Sequence, residues 1–424
     1  MAQSKILAGG IAAAVVCCFF SLSYLADGAD RLGFYKVGVT LRMPIALLGS
    51  ADEQFKVAEA YHNGTGVQQD YDVATFWLKK AASHGHVSAG NDLAVLFLQG
   101  HGGYEDPWDA LTAIRRAAGQ NDLVALTNLG LVYERGQIVS RDYAEAAKWY
   151  TTAAMQGYPD AQYALALLYR SGRGVAHDDK QAFFWFQQAA DHGFVDAQSA
   201  VSQAYWFGIG VKADTEKAIH YLIAAADGGS PEAEYNLGTA YDAGSGVEKN
   251  PEKALIWWKK AAEHNQREAA FRVGVAYSDG IGVPKDEALA ASWYLKAANL
   301  GEASAQTNLG LDYMDGTGVD RNDENAVNWL QKAADQGQAE GQANLGIMYA
   351  KGRGVEKDLG RAMALFKQAA DQGNAEAEFN IGVMYLHGEG VAADTEQAMD
   401  WFKKAASHGS QNAKDAIEQL VTRI

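Results

Sequence analysis

Apolar and small residues recur along most of this chain with a period of 36 positions. In the copy at residues 377–412, the spacing of Ala377, Ile381 and Tyr385 places all three on one side of a short helix. A second apolar stripe, from Ala398 to Ala406, has the spacing of another helix. Repeats of this length bury their apolar faces only by stacking on their neighbours, so the pattern predicts an all-α solenoid of helix-turn-helix repeats. The ten copies follow each other without insertion and span residues 53–88, 89–124, 125–160, 161–196, 197–232, 233–268, 269–304, 305–340, 341–376 and 377–412.

The boundaries of the predicted helices are marked by turn and capping residues. In most copies the first helix ends at a Gly-x-Gly-Val turn, such as Gly388 to Val391, because glycine adopts the positive φ that ends a helix. An Asp or Asn then begins the second helix, since its side chain accepts hydrogen bonds from the free amides of the first turn. We therefore predict N-caps at Asp70, Asp106, Asp142, Asp178, Asp214, Asn250, Asp286, Asn322, Asp358 and Asp394.

Small residues indicate that the helices pack closely. Alanine stands at the positions of Ala398, Ala405 and Ala406 in all ten copies, where only a methyl group is expected to fit. A tryptophan beside these alanines recurs in most copies, and we predict that it fills the remaining core space. The predicted core tryptophans are Trp77, Trp149, Trp185, Trp257, Trp293, Trp329 and Trp401.

The two ends of the chain differ from the repeats. Residues 1–26 contain an uncharged apolar run from Ile6 to Ala26, which predicts a signal anchor or signal peptide. An anchored solenoid in the periplasm, or one secreted there, is favoured, although Arg31, Lys36 and Arg42 after the run favour a cytoplasmic solenoid. Residues 27–52 are predicted to be a linker and N-terminal cap, and residues 413–424 a C-terminal capping helix.

Charge and missing motifs exclude several functions. The formal net charge of −16 argues against a nucleic-acid partner. The sequence lacks the P-loop, His-Glu-x-x-His, Cys-x-x-Cys and Gly-x-Ser-x-Gly patterns, so we predict no enzyme, no cofactor and no metal site. Four histidines share one position at the end of the second helix, where an imidazole can bond the last carbonyls. These predicted capping residues are His84, His192, His264 and His408.

The full pattern, Ala-x-x-Asn-Leu-Gly-x-x-Tyr-x-x-Gly-x-Gly-Val-x-x-Asp-x-x-x-Ala-x-x-Trp-x-x-Lys-Ala-Ala-x-x-Gly, closely resembles the Sel1-like repeat family, which is related to tetratricopeptide repeats. The resemblance implies a right-handed superhelix whose first helices line a concave groove, and a role as an adaptor in membrane-associated or signalling assemblies. The copy at residues 89–124 departs from the pattern, with Gly102-Gly103 at the turn and Ala113 in place of tryptophan. This departure indicates either drift or a specialised contact.

Residues on the predicted groove face are candidates for binding a protein or peptide. An asparagine at the fourth position of five copies can both donate to and accept from an extended peptide backbone, or it can bond the adjacent repeat. Exposed aromatic residues and arginines nearby would supply apolar and charged contacts. The candidates are Asn128, Asn236, Asn308, Asn344, Asn380, Tyr163, Tyr235, Phe271, Trp206, Phe207, Arg135 and Arg170.

These observations favour a non-catalytic scaffold that holds a partner protein or peptide in an envelope assembly or signalling complex. The alternative is a carbohydrate- or peptidoglycan-associated factor in polysaccharide export or wall remodelling. In that alternative the exposed aromatic residues would stack on a glycan.

Overall fold

The structure is a computed structural model that describes residues 22–27, 29–31, 33–101 and 107–421. Every regular element in these residues is an α-helix, and two compact units divide the chain at residues 218 and 219, within α11 (Thr215–Asp227). Before α11 the helices are α1 (Tyr35–Leu47), α2 (Ala51–Asn63), α3 (Tyr71–Ser83), α4 (Val87–Leu98), α5 (Pro107–Gly119), α6 (Leu123–Arg135), α7 (Tyr143–Ala154), α8 (Pro159–Ser171), α9 (Asp179–Asp191) and α10 (Val195–Phe207). After it come α12 (Pro231–Ala243), α13 (Pro251–Glu263), α14 (Arg267–Asp279), α15 (Glu287–Asn299), α16 (Ala303–Asp315), α17 (Asp323–Asp335), α18 (Ala339–Lys351), α19 (Leu359–Ala370), α20 (Ala375–His387), α21 (Thr395–Ser407) and α22 (Gln411–Val421).

Within each unit, consecutive helix pairs pack in series, which confirms the predicted all-α solenoid. The predicted caps of the second helices are confirmed wherever the chain is described. Asp70, for example, accepts a hydrogen bond from the amide of Val73 at 3.0 Å, and Asn322 accepts one from Asn325 at 3.0 Å. The predicted cap Asp106 lies outside the described residues.

The two glycines of the Gly-x-Gly-Val turn are required for different structural reasons. Gly352 ends α18 with φ of +66°, a left-handed conformation that favours glycine. Gly354, two residues later, has no room for a side chain because a Cβ there would lie 2.2 Å from the carbonyl oxygen of Asp323, at the start of α17. The second glycine therefore lets the turn of one repeat touch the second helix of the preceding one.

The core position lies one residue after the predicted tryptophans. Trp77 is buried, but the other six predicted core tryptophans are only half-buried. Of these, Trp149, Trp185, Trp293, Trp329 and Trp401 pack against the core from its edge, and the sixth is Trp257. Lysines cover several of their faces, as Lys332 does with its Nζ 3.7 Å from the Trp329 ring centroid. The residue that follows points inward because a 3.6-residue helical period places it nearer the centre of the alanine stripe. The residue at this position is buried in all ten copies: Leu78, Ile114, Tyr150, Phe186, Leu222, Trp258, Tyr294, Leu330, Phe366 and Phe402.

Each buried ring is matched by a small residue on the paired first helix. A Cβ on Gly238 would lie 2.5 Å from the Trp258 ring, and one on Gly382 would lie 2.6 Å from the Phe402 ring. Where the buried residue is the smaller Leu78, the matching position holds Ala58 instead of glycine. The helix pairs thus fill the same space with different combinations of side chains.

Replacing Ala333 with leucine is expected to destabilise the unit by about 1–3 kcal/mol, because the larger side chain overpacks a contact between adjacent repeats. Ala333 is fully buried, and a Cβ on Gly341 of the next repeat would lie 2.7 Å from its methyl group. Chemical unfolding followed by circular dichroism measures the change. Ala364→Leu, at an exposed helical position, is the control and should have little effect. Equal stability of the wild type and Ala333→Leu would contradict the placement of this interface.

The N-terminal cap is built as an additional second helix. Tyr35, at the start of α1, precedes Tyr71, at the start of α3, by the same 36-residue period. A Cβ on Gly66 would lie 2.4 Å from the carbonyl carbon of Tyr35, as in the other repeat contacts. In this register Arg42 takes the place of the buried core residue Leu78.

Carboxylates neutralise the charge of this buried arginine in an ion-pair cluster. We call it the cap cluster, and it consists of Arg42, Asp27, Asp30, Glu53 and Lys56. Arg42 is 3% exposed and pairs with Asp27, with Asp30 at 2.7 Å and with Glu53 at 3.1 Å. Lys56 pairs with Asp27 at 2.9 Å. The sequence places Arg42 among the positive charges that follow the apolar run and favour a cytoplasmic solenoid. In the folded protein, however, carboxylates surround Arg42 and neutralise its charge.

The C-terminal cap is α22. Ala413 is buried, and Ala416, Ile417 and Leu420 pack on the last repeat. The last three residues of the predicted capping helix, 422–424, lie outside the described residues. The apolar face of this helix therefore closes the core of the last repeat.

The histidines at the ends of second helices use two kinds of contact. His192 bonds the Gln188 carbonyl at 2.7 Å, as predicted for a cap. The others bond instead to a buried side chain at the second position of their own repeat. These pairs are His84 with Gln54 at 2.8 Å, His264 with Glu234 at 2.9 Å and His408 with Glu378 at 2.8 Å.

Candidate functional site

An exposed apolar patch lies at the end of α10, in the N-terminal unit. Phe207 is 72% exposed and Ile209, in the following turn, is 43% exposed, while Trp206 is half-buried. The position of these side chains is fixed because Gly208 ends α10 with φ of +71° and Gly210 approaches the start of α9 too closely for a side chain. Large apolar side chains held in water by a rigid turn are typical of contact sites for another molecule.

Arg170 from the preceding repeat borders this patch. Its guanidinium carbon lies 5.3 Å from the centroid of the Phe186 ring, which holds the long side chain against the helix pair. Arg170 and Ile209 both line a small hollow of about 40 Å³ between the two repeats, together with Phe186 and other residues. We call Arg170, Trp206, Phe207 and Ile209 the α10 patch. It combines apolar surface with the guanidinium of Arg170, and Asp179 also lines the hollow.

The other candidates in this unit lie in contacts within the solenoid. Arg135 donates to the Leu98 carbonyl at 3.3 Å, at the end of α4. Tyr163 packs against the rings of Phe186 and Phe194, at centroid distances of 5.5 and 5.0 Å. Asn128 is half-buried on α6. The structure does not place any of these three among the residues that line the hollow beside the α10 patch.

The asparagine ladder of the C-terminal unit is partly engaged within the fold. Asn308 is hydrogen-bonded with the hydroxyl of Tyr294, and Asn344 donates to the Glu340 carbonyl of its own helix at 2.9 Å. The Nδ2 atom of Asn380 is buried and has no hydrogen-bond partner among the described residues, and Asn236 is exposed. The ladder therefore offers fewer free amides to a peptide than its regular spacing indicates, and its role in binding stays a prediction.

The aromatic candidates of the same unit line the edge of the core. The Phe271 ring lies 5.9 Å from the Tyr294 ring, and Tyr235 packs against the core of the helix pairs around Trp258. Both are half-buried. They are therefore less exposed than Phe207.

Three carboxyl groups on first helices are partly buried and have raised pKa values, which the sequence did not predict. Burial and the nearby charges of Glu287 and Asp315 raise the pKa of Asp312, on α16, to about 7. In the first repeats, burial together with the Asp92 charge raises the pKa of Glu59, and burial raises the pKa of Asp92. Sequence alone gives no signal for these shifts, because they depend on how deeply each carboxyl lies between neighbouring helices.

We expect the free energy of unfolding of the C-terminal unit to fall by about 1–3 kcal/mol as pH rises from about 4 to about 7. Over this range folded Asp312, with a pKa of about 7, keeps a proton that the unfolded chain has released at its ordinary value of 3.8. Asp312→Asn should flatten this dependence, whereas the exposed Asp335→Asn should not. Urea unfolding at pH 4.5 and 7.5 measures it, and an unchanged slope in Asp312→Asn would contradict the assignment.

The described part of the chain shows neither a metal-binding cluster nor a membrane-spanning helix. No group of three or more His, Cys, Asp or Glu residues there is arranged to hold a metal ion. Likewise, none of its helices has both the length and the apolar character needed to cross a bilayer. Most of the predicted apolar span, residues 6–21 of 6–26, lies outside the described residues.

Serial helix pairs joined by a double-glycine turn and capped by Asp or Asn define a tetratricopeptide-like α-solenoid. The chain belongs to the Sel1 repeat family, as the resemblance predicted. The family model matches residues 54–86, 123–158, 159–194, 195–230, 231–266, 267–302, 303–338, 339–374 and 375–410. The unmatched stretch at 87–122 holds α4 and α5, which still pack as a helix pair although their sequence departs from the pattern.

Solved structures agree with this assignment. A protective antigen of uropathogenic Escherichia coli that displays an SLR fold is 30% identical, with a TM-score of 0.73 over 90% of this chain and 82% of that one. A Sel1 repeat protein from Oxalobacter formigenes is 35% identical, with a TM-score of 0.56 over 72% of this chain and 89% of that one. A comparison with curated proteins found no match. Sel1 repeat folds are typically protein-interaction scaffolds, which is the class of function that the comparisons support.

Proposed function

We propose that this protein is a non-catalytic scaffold that binds a partner protein or peptide at the α10 patch. The observation that carries the proposal is the exposed Phe207 and Ile209 in one turn, with Ile209 lining the same hollow as Arg170. A partner segment with one or two apolar side chains next to a carboxylate would bury the apolar surface and pair the guanidinium. The asparagines of the C-terminal unit would be a second, weaker contact for an extended chain.

We further propose that the protein works at the bacterial envelope, anchored through residues 6–26 with the solenoid in the periplasm, or secreted there. Support comes from the uncharged apolar run at the start of the sequence. Assembly factors and sensors of the envelope are the partners that fit such a scaffold.

Capture from crosslinked cells tests the binding site. The intact protein is compared with Phe207→Ala/Ile209→Ser, which removes the exposed apolar surface without touching the core. Phe184→Ala is the matched control, because Phe184 is also an exposed aromatic residue, on the second helix α9. We expect one partner to be recovered with the wild type and the control, and its recovery to fall at least tenfold with the double variant.

Two results would overturn the proposal. Equal recovery with the double variant would show that the α10 patch does not bind the partner. Enrichment of glycan fragments in place of a protein would favour the carbohydrate-associated function. The half-buried Trp257 and Trp329 are poorly suited to stack on a glycan, because lysines cover their faces at 3.9 and 3.7 Å.

A further inference from the structure

The two ends of the solenoid present different surfaces to their surroundings. At the C-terminal end most exposed side chains of α22 are polar, and Val421, in the last turn, is the one large apolar side chain exposed on this helix. The exposed polar residues are Gln411, Asn412, Lys414, Asp415, Glu418 and Gln419. This is the expected outer face of a terminal helix that lies in water.

The N-terminal end exposes apolar side chains instead. Leu47 and Leu48 are 70% and 69% exposed at the end of α1, and Phe34, Tyr35 and Val37 are exposed at its start. Leu25, in the preceding helical segment, is also exposed. We call these six residues the N-terminal outer face. Such a face needs a cover, because terminal repeats in water require a polar outer surface.

The chain itself limits what this cover can be. The uncharged run that begins at Ile6 reaches Ala26, whose side chain is already buried in the folded protein. The next residue, Asp27, pairs with Lys56 at 2.9 Å and with Arg42. Residues 22–27 are helical, and Ala26 and Asp27 belong to the folded cap. The proposed membrane anchor is therefore the part of the run before them, and the cap lies within a few residues of it.

The composition of the face suits the headgroup region. Arg31 and Lys36 are exposed among the aromatic residues Phe34 and Tyr35. Tyrosine and basic side chains together are typical of segments that lie at the membrane interface, where the rings contact acyl chains and the charges contact phosphate. These cations stand out in a protein whose formal net charge is −16.

We propose that the N-terminal outer face is a membrane-docking surface, with Leu47, Leu48 and Val37 inserted at the boundary between headgroups and acyl chains. The proposal rests on the anchoring suggested under Proposed function. It adds that the first helix pair lies directly on the lipid and is not held away from it on a tether.

Quenching by brominated lipid tests this contact in the full-length chain. Cys17 and Cys18 are replaced by alanine, and a bimane label is attached through Leu47→Cys, or through Gln419→Cys on the polar end as the matched control. Each protein is bound to phosphatidylcholine vesicles with or without brominated acyl chains, and co-sedimentation shows which chains are bound. We expect bromolipid to reduce the fluorescence at position 47 at least twofold and to leave position 419 unchanged. Val37→Cys serves as a second reporter if the label at position 47 lowers the helical circular dichroism.

The outcomes separate this proposal from the others. Vesicle-bound protein with no quenching at position 47 would overturn the docking surface and leave the anchor in place. If bromolipid does not quench the label at position 47 and this position crosslinks to a second copy of the chain, the face is a self-association surface instead. Failure to co-sediment would remove both the anchor and the docking surface. Capture at the α10 patch is measured independently of all three results.

Discussion

Replacing Trp258 with alanine is expected to destabilise the C-terminal unit by about 3–5 kcal/mol. The Trp258 side chain is 4% exposed, and its ring fills the space above Gly238, where no side chain competes with it. Its indole nitrogen also donates to the Thr239 hydroxyl at 3.4 Å. Because alanine leaves a cavity between α12 and α13, hydrogen exchange should accelerate in both helices, and urea unfolding should begin at a lower concentration.

The adjacent Trp257 is the control for this prediction. It is half-buried, with Lys260 over its face at 3.9 Å, and Trp257→Ala should cost about 1 kcal/mol. A larger loss at Trp257 than at Trp258 would contradict the register of the core. A double-mutant cycle adds a second check. Gly238→Ala alone should be destabilising, but it should be better tolerated when combined with Trp258→Leu. The double variant then has the same pair of residues as Ala58 and Leu78, which occupy these positions in the first repeat.

Replacing Arg42 with methionine is expected to release the N-terminal cap, at a cost of about 3–5 kcal/mol to the contact between α1 and α2. Methionine has a similar volume but leaves Asp27, Asp30 and Glu53 without the guanidinium that pairs with all three. Because the repeats of a solenoid can unfold from one end, the loss should appear as local opening of α1 and not as complete unfolding. Hydrogen exchange measured by mass spectrometry should show loss of protection in α1 and α2 only.

Arg31→Met is the matched control, because Arg31 is exposed and its loss should leave exchange unchanged. Wild-type protection of α1 in Arg42→Met would show that apolar contacts alone hold the cap. Replacing Arg42, Asp27 and Asp30 together by apolar or neutral residues should restore part of the protection, since the destabilisation arises from unpaired charge and not from lost volume.

Most of the fold could be predicted from the sequence because each repeat encodes its own boundaries. The Asp and Asn caps and the glycine turns act within a few residues of chain, and ten copies make the period unambiguous. The error in the tryptophan register has a local cause. Trp257 and Trp258 are neighbours of the same type, and helical periodicity alone cannot decide which of two adjacent apolar residues lies at the centre of a buried stripe.

The candidate site was less predictable because binding surfaces depend on what the fold leaves uncovered. Trp206 and Phe207 could be named as aromatic candidates from the sequence, but the contribution of Ile209 required the exposure of the turn to be known. Arg135 and Asn344 are in the predicted places but bond to backbone carbonyls. The ion pairs of Arg42 join residues up to fifteen positions away in sequence, and no local rule predicts them.

Because the repeats have a constant length, whole units of 36 residues can be added or removed without changing the contacts between the remaining repeats. The turn at Gly354 meets the start of α17 in the same way that the turn at Gly318 meets the start of α15. An in-frame loss of residues 305–340 would therefore join two complementary surfaces, whereas a loss of residues 323–340 alone would remove one second helix and bring a first helix against another first helix. Unequal recombination could lengthen or shorten such a gene without destroying the protein, and natural variants should differ in length by whole repeats.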